Sequence, residues 1–131
     1  MFVDASAWTA IILREAERER FRITLADAEI ILTSPIAIWE TVRAVARATG
    51  DTVQEVGGAF TALRASIGAR VVEIGVRESQ LALDTHARFG KGVHPARLNM
   101  GDCFAYACAR VHGVPLLYKG EDFAMTDIEA A

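Results

Sequence analysis

Apolar positions fall in short continuous runs and in longer spaced stripes, and the two alternate along the chain. Met1-Phe2-Val3, Ile30-Ile31-Leu32-Thr33, Val71-Val72-Glu73-Ile74 and Val114-Pro115-Leu116-Leu117-Tyr118 are the runs. Runs of this kind suit strands covered on both faces. Between them the apolar residues recur at helical spacing. Trp8, Ile11 and Ile12 share one face of a helix expected to begin near Ala7, with Ser6 as its cap. Phe21 and Leu25 give an inward side to the charge-rich stretch Arg14 to Arg22, whose acids and arginines read as a solvated helix face. Ser34-Pro35 opens a helix carrying Ile38, Val42 and Val45, since Ser caps well and Pro suits the first helical position. Val53, Val56, Phe60, Leu63 and Ile67 form a further stripe. Glu78 to Phe89 reads as a helix with Leu83 and Ala87 on one side and Gly90 as its C-cap. From Phe104 to Val111 almost every residue is small or apolar, as in a buried helix, and Gly113 is its terminator.

Strands alternating with helices predict an α/β three-layer domain, a largely parallel central sheet flanked by helices. No repeat or long linker divides the chain, so residues 1–131 are expected to form a single domain. At 52% apolar and 24% charged residues the composition is that of a globular protein rather than a disordered one. No apolar run approaches the ~18 residues of a membrane span, and the chain opens on a strand instead of a signal-like segment. A cytoplasmic protein without membrane attachment is the expectation. Cys103 and Cys108 lie five apart in an apolar helix, which matches neither a redox pair nor a zinc spacing and predicts buried free thiols.

Three acids are placed together by topology alone. Parallel α/β sheets build their sites beyond the carboxyl ends of the strands. Asp4 ends the first strand, Asp122 follows the last, and Asp102 opens a helix that should start at the same end. Asp102 on its own also reads as a helix cap, and Glu40, too far inside its helix to be one, as a solvated glutamate. Carboxylates brought close repel one another unless a cation intervenes. A hard divalent ion, Mg²⁺ or Mn²⁺, takes such oxygen ligands, and no His or Cys stands at a zinc spacing. No G-x-S-x-G elbow, P-loop or dinucleotide fingerprint is present. Ser6 occupies the place where an aspartyl-phosphate enzyme would need its second acid. The net charge of −3 disfavours general nucleic-acid binding, yet no acid lies between Asp84 and Asp102. That interval carries Arg88, Lys91 and Arg97 with His86 and His94, a candidate phosphate contact or a solvated basic loop.

Val3-Asp4-Ala5-Ser6-Ala7, Glu40, the stretch Leu98-Asn99-Met100-Gly101-Asp102-Cys103-Phe104-Ala105-Tyr106-Ala107 and the stretch Leu116-Leu117-Tyr118-Lys119-Gly120-Glu121-Asp122-Phe123 together resemble the PIN-domain ribonucleases. More narrowly they resemble the VapC toxins of bacterial toxin–antitoxin pairs, over the full length and in the right order. The resemblance implies a PIN-like fold and an Mg²⁺-dependent endoribonuclease, with Mn²⁺ accepted. It also implies a homodimer held inactive by a cognate VapB-type antitoxin. Asp4, Glu40, Asp102 and Asp122 match the family's acids, with Asp127 the alternative to Asp122, and Ser6 and Asn99 match supporting polar positions. In the mechanism this implies, Asp4 and Asp102 hold the ion directly, while Glu40 and Asp122 act through water or on a second ion. Activated water then cleaves RNA to 5′-phosphate and 3′-hydroxyl ends, with Arg88, Lys91 and Arg97 on flanking phosphates. A PIN nuclease of RNA processing without antitoxin, or an inactive binding module, are the competing readings.

Overall fold

The computed structural model describes residues 1–131. The apolar runs become four short strands, β1 (Phe2–Val3), β2 (Leu32–Thr33), β3 (Arg70–Val71) and β4 (Leu116–Leu117), in the order β3-β2-β1-β4. Every pairing is parallel. Six α-helices connect them: α1 (Ala5–Ile12), α2 (Arg18–Ala26), α3 (Pro35–Thr49), α4 (Val53–Ser66), α5 (Val76–Phe89) and α6 (Met100–His112). A 3-10 turn, Phe123–Met125, follows β4.

Neighbouring strand residues point to opposite faces, and the core divides accordingly. Phe2, Leu32 and Leu116 pack with Ala82 of α5 and with Cys103 and Tyr106 of α6. Val3 and Leu117 pack on the other side with Trp8, Phe21, Val42 and Phe60 from α1 to α4. The sheet is therefore the middle of three layers, as its apolar runs predict. Polar contacts fix where α1 meets the sheet. Trp8 Nε1 donates to Thr33 Oγ1 at 3.1 Å, and that hydroxyl donates to the Val3 carbonyl at 3.3 Å. Trp8 also meets Phe60 edge-on, with ring centroids 5.3 Å apart. α1 is thus tied to the carboxyl ends of β1 and β2.

Several local expectations are corrected. α1 begins at Ala5, and its N-cap is Asp4, whose carboxylate accepts the Ser6 N–H; Ser6 lies inside the first turn. Arg14 to Arg22 is not one helix. α1 ends at Ile12, Arg14 takes a left-handed conformation at φ 58°, and α2 starts at Arg18, leaving Arg22–Glu19 as the i,i+3 pair at 3.3 Å. On α5 the inward residues are Glu78, Ala82 and Thr85, whereas Leu83 is 72% exposed and Ala87 exposed. The buried stripe there is made of small and polar residues, so the apolar spacing points the wrong way. β3 covers Arg70–Val71 and is an exposed edge; beyond it, only the Val72 N–H reaches β2, at Thr33 O.

The expected ends of the other helices are found. Ser34 caps α3 with Pro35 behind it, and Gly113 closes α6 in the left-handed region at φ 63°. Both cysteines are buried and free. No helix is long and apolar enough to cross a membrane. The C-terminal segment lies parallel beside β4, with Leu116 N–H on Glu129 O and Ala131 N–H on Leu116 O. Asp127 pins it, accepting from Tyr106 Oη at 2.5 Å and from Arg88 at 2.8 Å.

Candidate active site

The strand order reverses at β1: β2 and β3 lie to one side of it and β4 to the other. Such a switch point leaves a crevice beyond the carboxyl ends of the two central strands. Asp4 stands there, at the end of β1 and the start of α1, with its residue 4% exposed. Ser6 Oγ donates to Asp4 Oδ2 at 2.5 Å and accepts the Lys119 N–H at 3.0 Å, joining the end of β1 to the loop after β4. α3 delivers Glu40 from its second turn, and α6 delivers Asp102 from its first. Asp102 is held from both sides by Asn99. Its Oδ2 accepts the Asn99 N–H at 2.8 Å, and Asn99 Oδ1 accepts the Asp102 N–H at 3.1 Å. This reciprocal box satisfies two otherwise unpaired donors at the helix start.

Asp4, Glu40 and Asp102 line one recess of about 380 Å³, with Ser6 and Asn99 beside them. Their electrostatics record the crowding. Burial first, and then the charges of Asp4 and Asp102, push the Glu40 carboxyl up to about 7. Asp102 rises to about 6, mainly through burial, with Asp4 and Asp122 adding to it and the Asn99 hydrogen bond opposing. Burial also raises Asp4, against its bonds to Ser6 and Ala5. Glu40 lies directly over Gly101. A Cβ on Gly101 would run into both oxygens of the Glu40 carboxylate, so the glycine lets α3 and α6 place their acids side by side.

The PIN domain family matches this chain over residues 1–129. A VapC ribonuclease of Rhizobium meliloti is 38% identical over 97% of this chain and 98% of its own length. The chain belongs to the PIN-domain VapC ribonucleases. A ribonuclease VapC of Mycolicibacterium smegmatis is likewise 38% identical, over 99% and 98% of the two chains. Ribonuclease VapC30 of Mycobacterium tuberculosis is 37% identical over 98% and 95%. Among solved structures, VapC20 of Mycobacterium tuberculosis, a toxin described as cleaving the sarcin–ricin loop, has the same fold. It superposes with a TM-score of 0.79 over 99% of this chain and 97% of that one, at 22% identity.

Within this PIN domain the residues singled out from sequence separate into three groups. Asp4, Glu40, Asp102, Ser6 and Asn99 share the recess. Asp122 is exposed at the start of the 3-10 turn and does not line it, although its charge reaches Asp102. Asp127, the alternative fourth acid, is committed to Tyr106 and Arg88, whose contacts hold its carboxyl below the usual range. Arg88 is therefore paired, unlike Lys91 and Arg97, which are exposed and make no ion pair. Lys91 lies near Asn99 in a neighbouring pocket. Two charged residues that line the recess were missed from sequence. Glu15 sits in the turn that breaks the charged stretch, and Lys119 in the loop after β4, bonded to each other at 2.7 Å. The left-handed Arg14 that turns the chain at Glu15 has no signature in composition.

As the side chains stand, no three His, Cys, Asp or Glu residues are close enough to chelate an ion together. The donor set nevertheless suits a hard divalent cation. The recess offers carboxylate, hydroxyl and amide oxygens and no sulfur or imidazole. Three of its acids are held above their ordinary values, first by burial, with the charges of Asp4 and Asp102 adding to Glu40 and those of Asp4 and Asp122 adding to Asp102, a conflict that a cation among them would relieve.

Proposed function

We propose that this chain is a divalent-metal-dependent endoribonuclease and the toxin half of a toxin–antitoxin pair. The observation that carries the reading is the meeting of Asp4, Glu40 and Asp102, from three separate elements, in one recess at the sheet's switch point. The VapC names of relatives at 37–38% identity favour RNA as the substrate and a VapB-type antitoxin as the partner.

Asp4 and Asp102 would hold Mg²⁺ or Mn²⁺ directly, and Glu40 and Asp122 would act from the outer sphere or on a second ion. When bound, the ion supplies a lowered water pKa and charge stabilisation at the phosphate. The chain's own residues do the rest. Ser6 and Asn99 orient the Asp4 and Asp102 carboxylates, each already bonded to one oxygen. Glu40, standing over Gly101 in the same recess as Asp4 and Asp102, is placed to take the proton from attacking water. In-line attack on the RNA phosphate leaves 5′-phosphate and 3′-hydroxyl ends. Lys91 and Arg97 are free to hold flanking phosphates, and Arg88 would do so only by leaving Asp127. Exposed single-stranded loops of structured RNA are the accessible targets.

Inhibition by the antitoxin would use the same recess, since a basic side chain, most usefully Arg, would occupy the cation's place. A groove of about 710 Å³ containing Ile11, Ile12, Val56, Phe60 and Leu63 offers an amphipathic segment an apolar seat. Residues 1–131 would act as one domain, in a homodimer that joins the antitoxin as a hetero-oligomer. Sequencing the RNA fragments left after brief expression, beside those from an Asp102→Asn control, tests the reading. Recurrent cut sites absent from the control are expected; the same fragments from both proteins would remove Asp102 from the chemistry.

A further inference from the structure

We infer that Lys119 is a substrate-binding residue of this site, held in readiness at the rim of the recess by Glu15 and Glu17, and that its ammonium grips an RNA phosphate. The inference rests on the nuclease reading above and adds a residue to it.

The recess presents four carboxylates, from Asp4, Glu15, Glu40 and Asp102, and Lys119 is the one cation lining it. A polyanion must approach this surface, so a positive group at the rim offsets charge that a bound divalent ion would only partly neutralise. Lys119 is placed for that by its backbone. Its N–H bonds to Ser6 Oγ, which bonds in turn to Asp4, so the residue is registered against the acid at the end of β1. The side chain itself is lightly held. Nζ lies 2.7 Å from Glu15 and 3.2 Å from Glu17, and all three side chains are about one-third exposed. Ion pairs of that exposure are weak, and a lysine stem is long and flexible enough to exchange one anion for another. Glu15 competes with phosphate for the ammonium, and the left-handed turn at Arg14 is what brings it there.

The test measures binding of a short fluorescein-labelled single-stranded RNA to full-length Asp102→Asn protein, so that cleavage does not intervene, across a range of salt. Lys119→Met should weaken binding about three- to tenfold and flatten the log–log salt dependence by about one unit, as expected for one lost phosphate contact. Lys119→Arg should restore both. Glu15→Gln should tighten binding, and that gain should vanish when Lys119→Met is added. Unchanged affinity and salt slope in folded Lys119→Met would overturn the inference while leaving the nuclease reading intact. So would a Glu15→Gln gain that persists without the lysine, because it would reflect only the loss of an acid. If Lys119→Met does not fold, Lys119→Gln replaces it in the single and the double variant, with the same outcomes supporting or overturning the role. Failure of the Asp102→Asn protein to bind RNA at all would bring down both readings.

Discussion

Gly101 is where one missing carbon decides the geometry of the acids. Glu40 reaches across from α3 into space that any side chain at residue 101 would fill. Gly101→Ala gains about 1 kcal/mol of helix propensity and displaces the far end of a flexible side chain. The variant should therefore melt close to the parent while cleaving at least about tenfold more slowly, a split that thermal melts beside RNA cleavage would reveal. Equal activity would mean that Glu40 need not sit where it does. The same carboxylate predicts a pH effect. Its value in the folded chain, about 7, lies above its ordinary 4.5. Between those limits the folded state binds more protons than the unfolded one, so this group makes metal-free protein less stable as pH rises. Glu40→Gln in chelator should raise stability above pH 7 by on the order of 1 kcal/mol, allowing for solvent screening at a half-buried site. It should change nothing below pH 4.5, and melting curves at the two pH values check the sign.

Among the elements, α6 delivers Asp102 to the site because its first turn is organised around the Asn99–Asp102 box. Asn99→Ala removes one arm of that box and should cost about 1 kcal/mol in denaturant unfolding, with a loss of cleavage exceeding what the lost stability explains. The C-terminal segment makes the contrasting case. Asp127→Asn weakens its bonds to Tyr106 and Arg88 and should lower stability by about 1 kcal/mol or less. Cleavage should survive, whereas Asp122→Asn should reduce it; the reverse pattern would exchange the two acids. These elements also show what was legible beforehand. Three of the strand runs, Ser34-Pro35 and the Gly113 stop are local signals, read correctly because local chemistry decides them, whereas the run from Val71 to Ile74 overshoots a strand that covers only Arg70–Val71. Leu83 and Ala87 misled because α5 buries Ala82, Thr85 and Glu78, and which stripe faces inward depends on its partner helix. Glu15 and Lys119 were missed because a left-handed residue and a loop 104 positions away place them together, and neither relation is local.

At the scale of the molecule, a parallel sheet with one reversal of strand order gathers acids from distant stretches of chain and keeps them close despite their repulsion. On the proposed reading a bound divalent ion would offset that repulsion and so stabilise the fold. Added Mg²⁺ should raise the melting temperature of the parent protein, and by less once Asp102 is replaced by Asn. The most direct check of the account is Mn²⁺ binding followed by electron paramagnetic resonance on the purified full-length chain and on its Asp4→Asn and Asp102→Asn variants. The account predicts saturable binding to the parent and at least about tenfold weaker binding to either variant, both still folded. Equal Mn²⁺ affinity in all three proteins would contradict it.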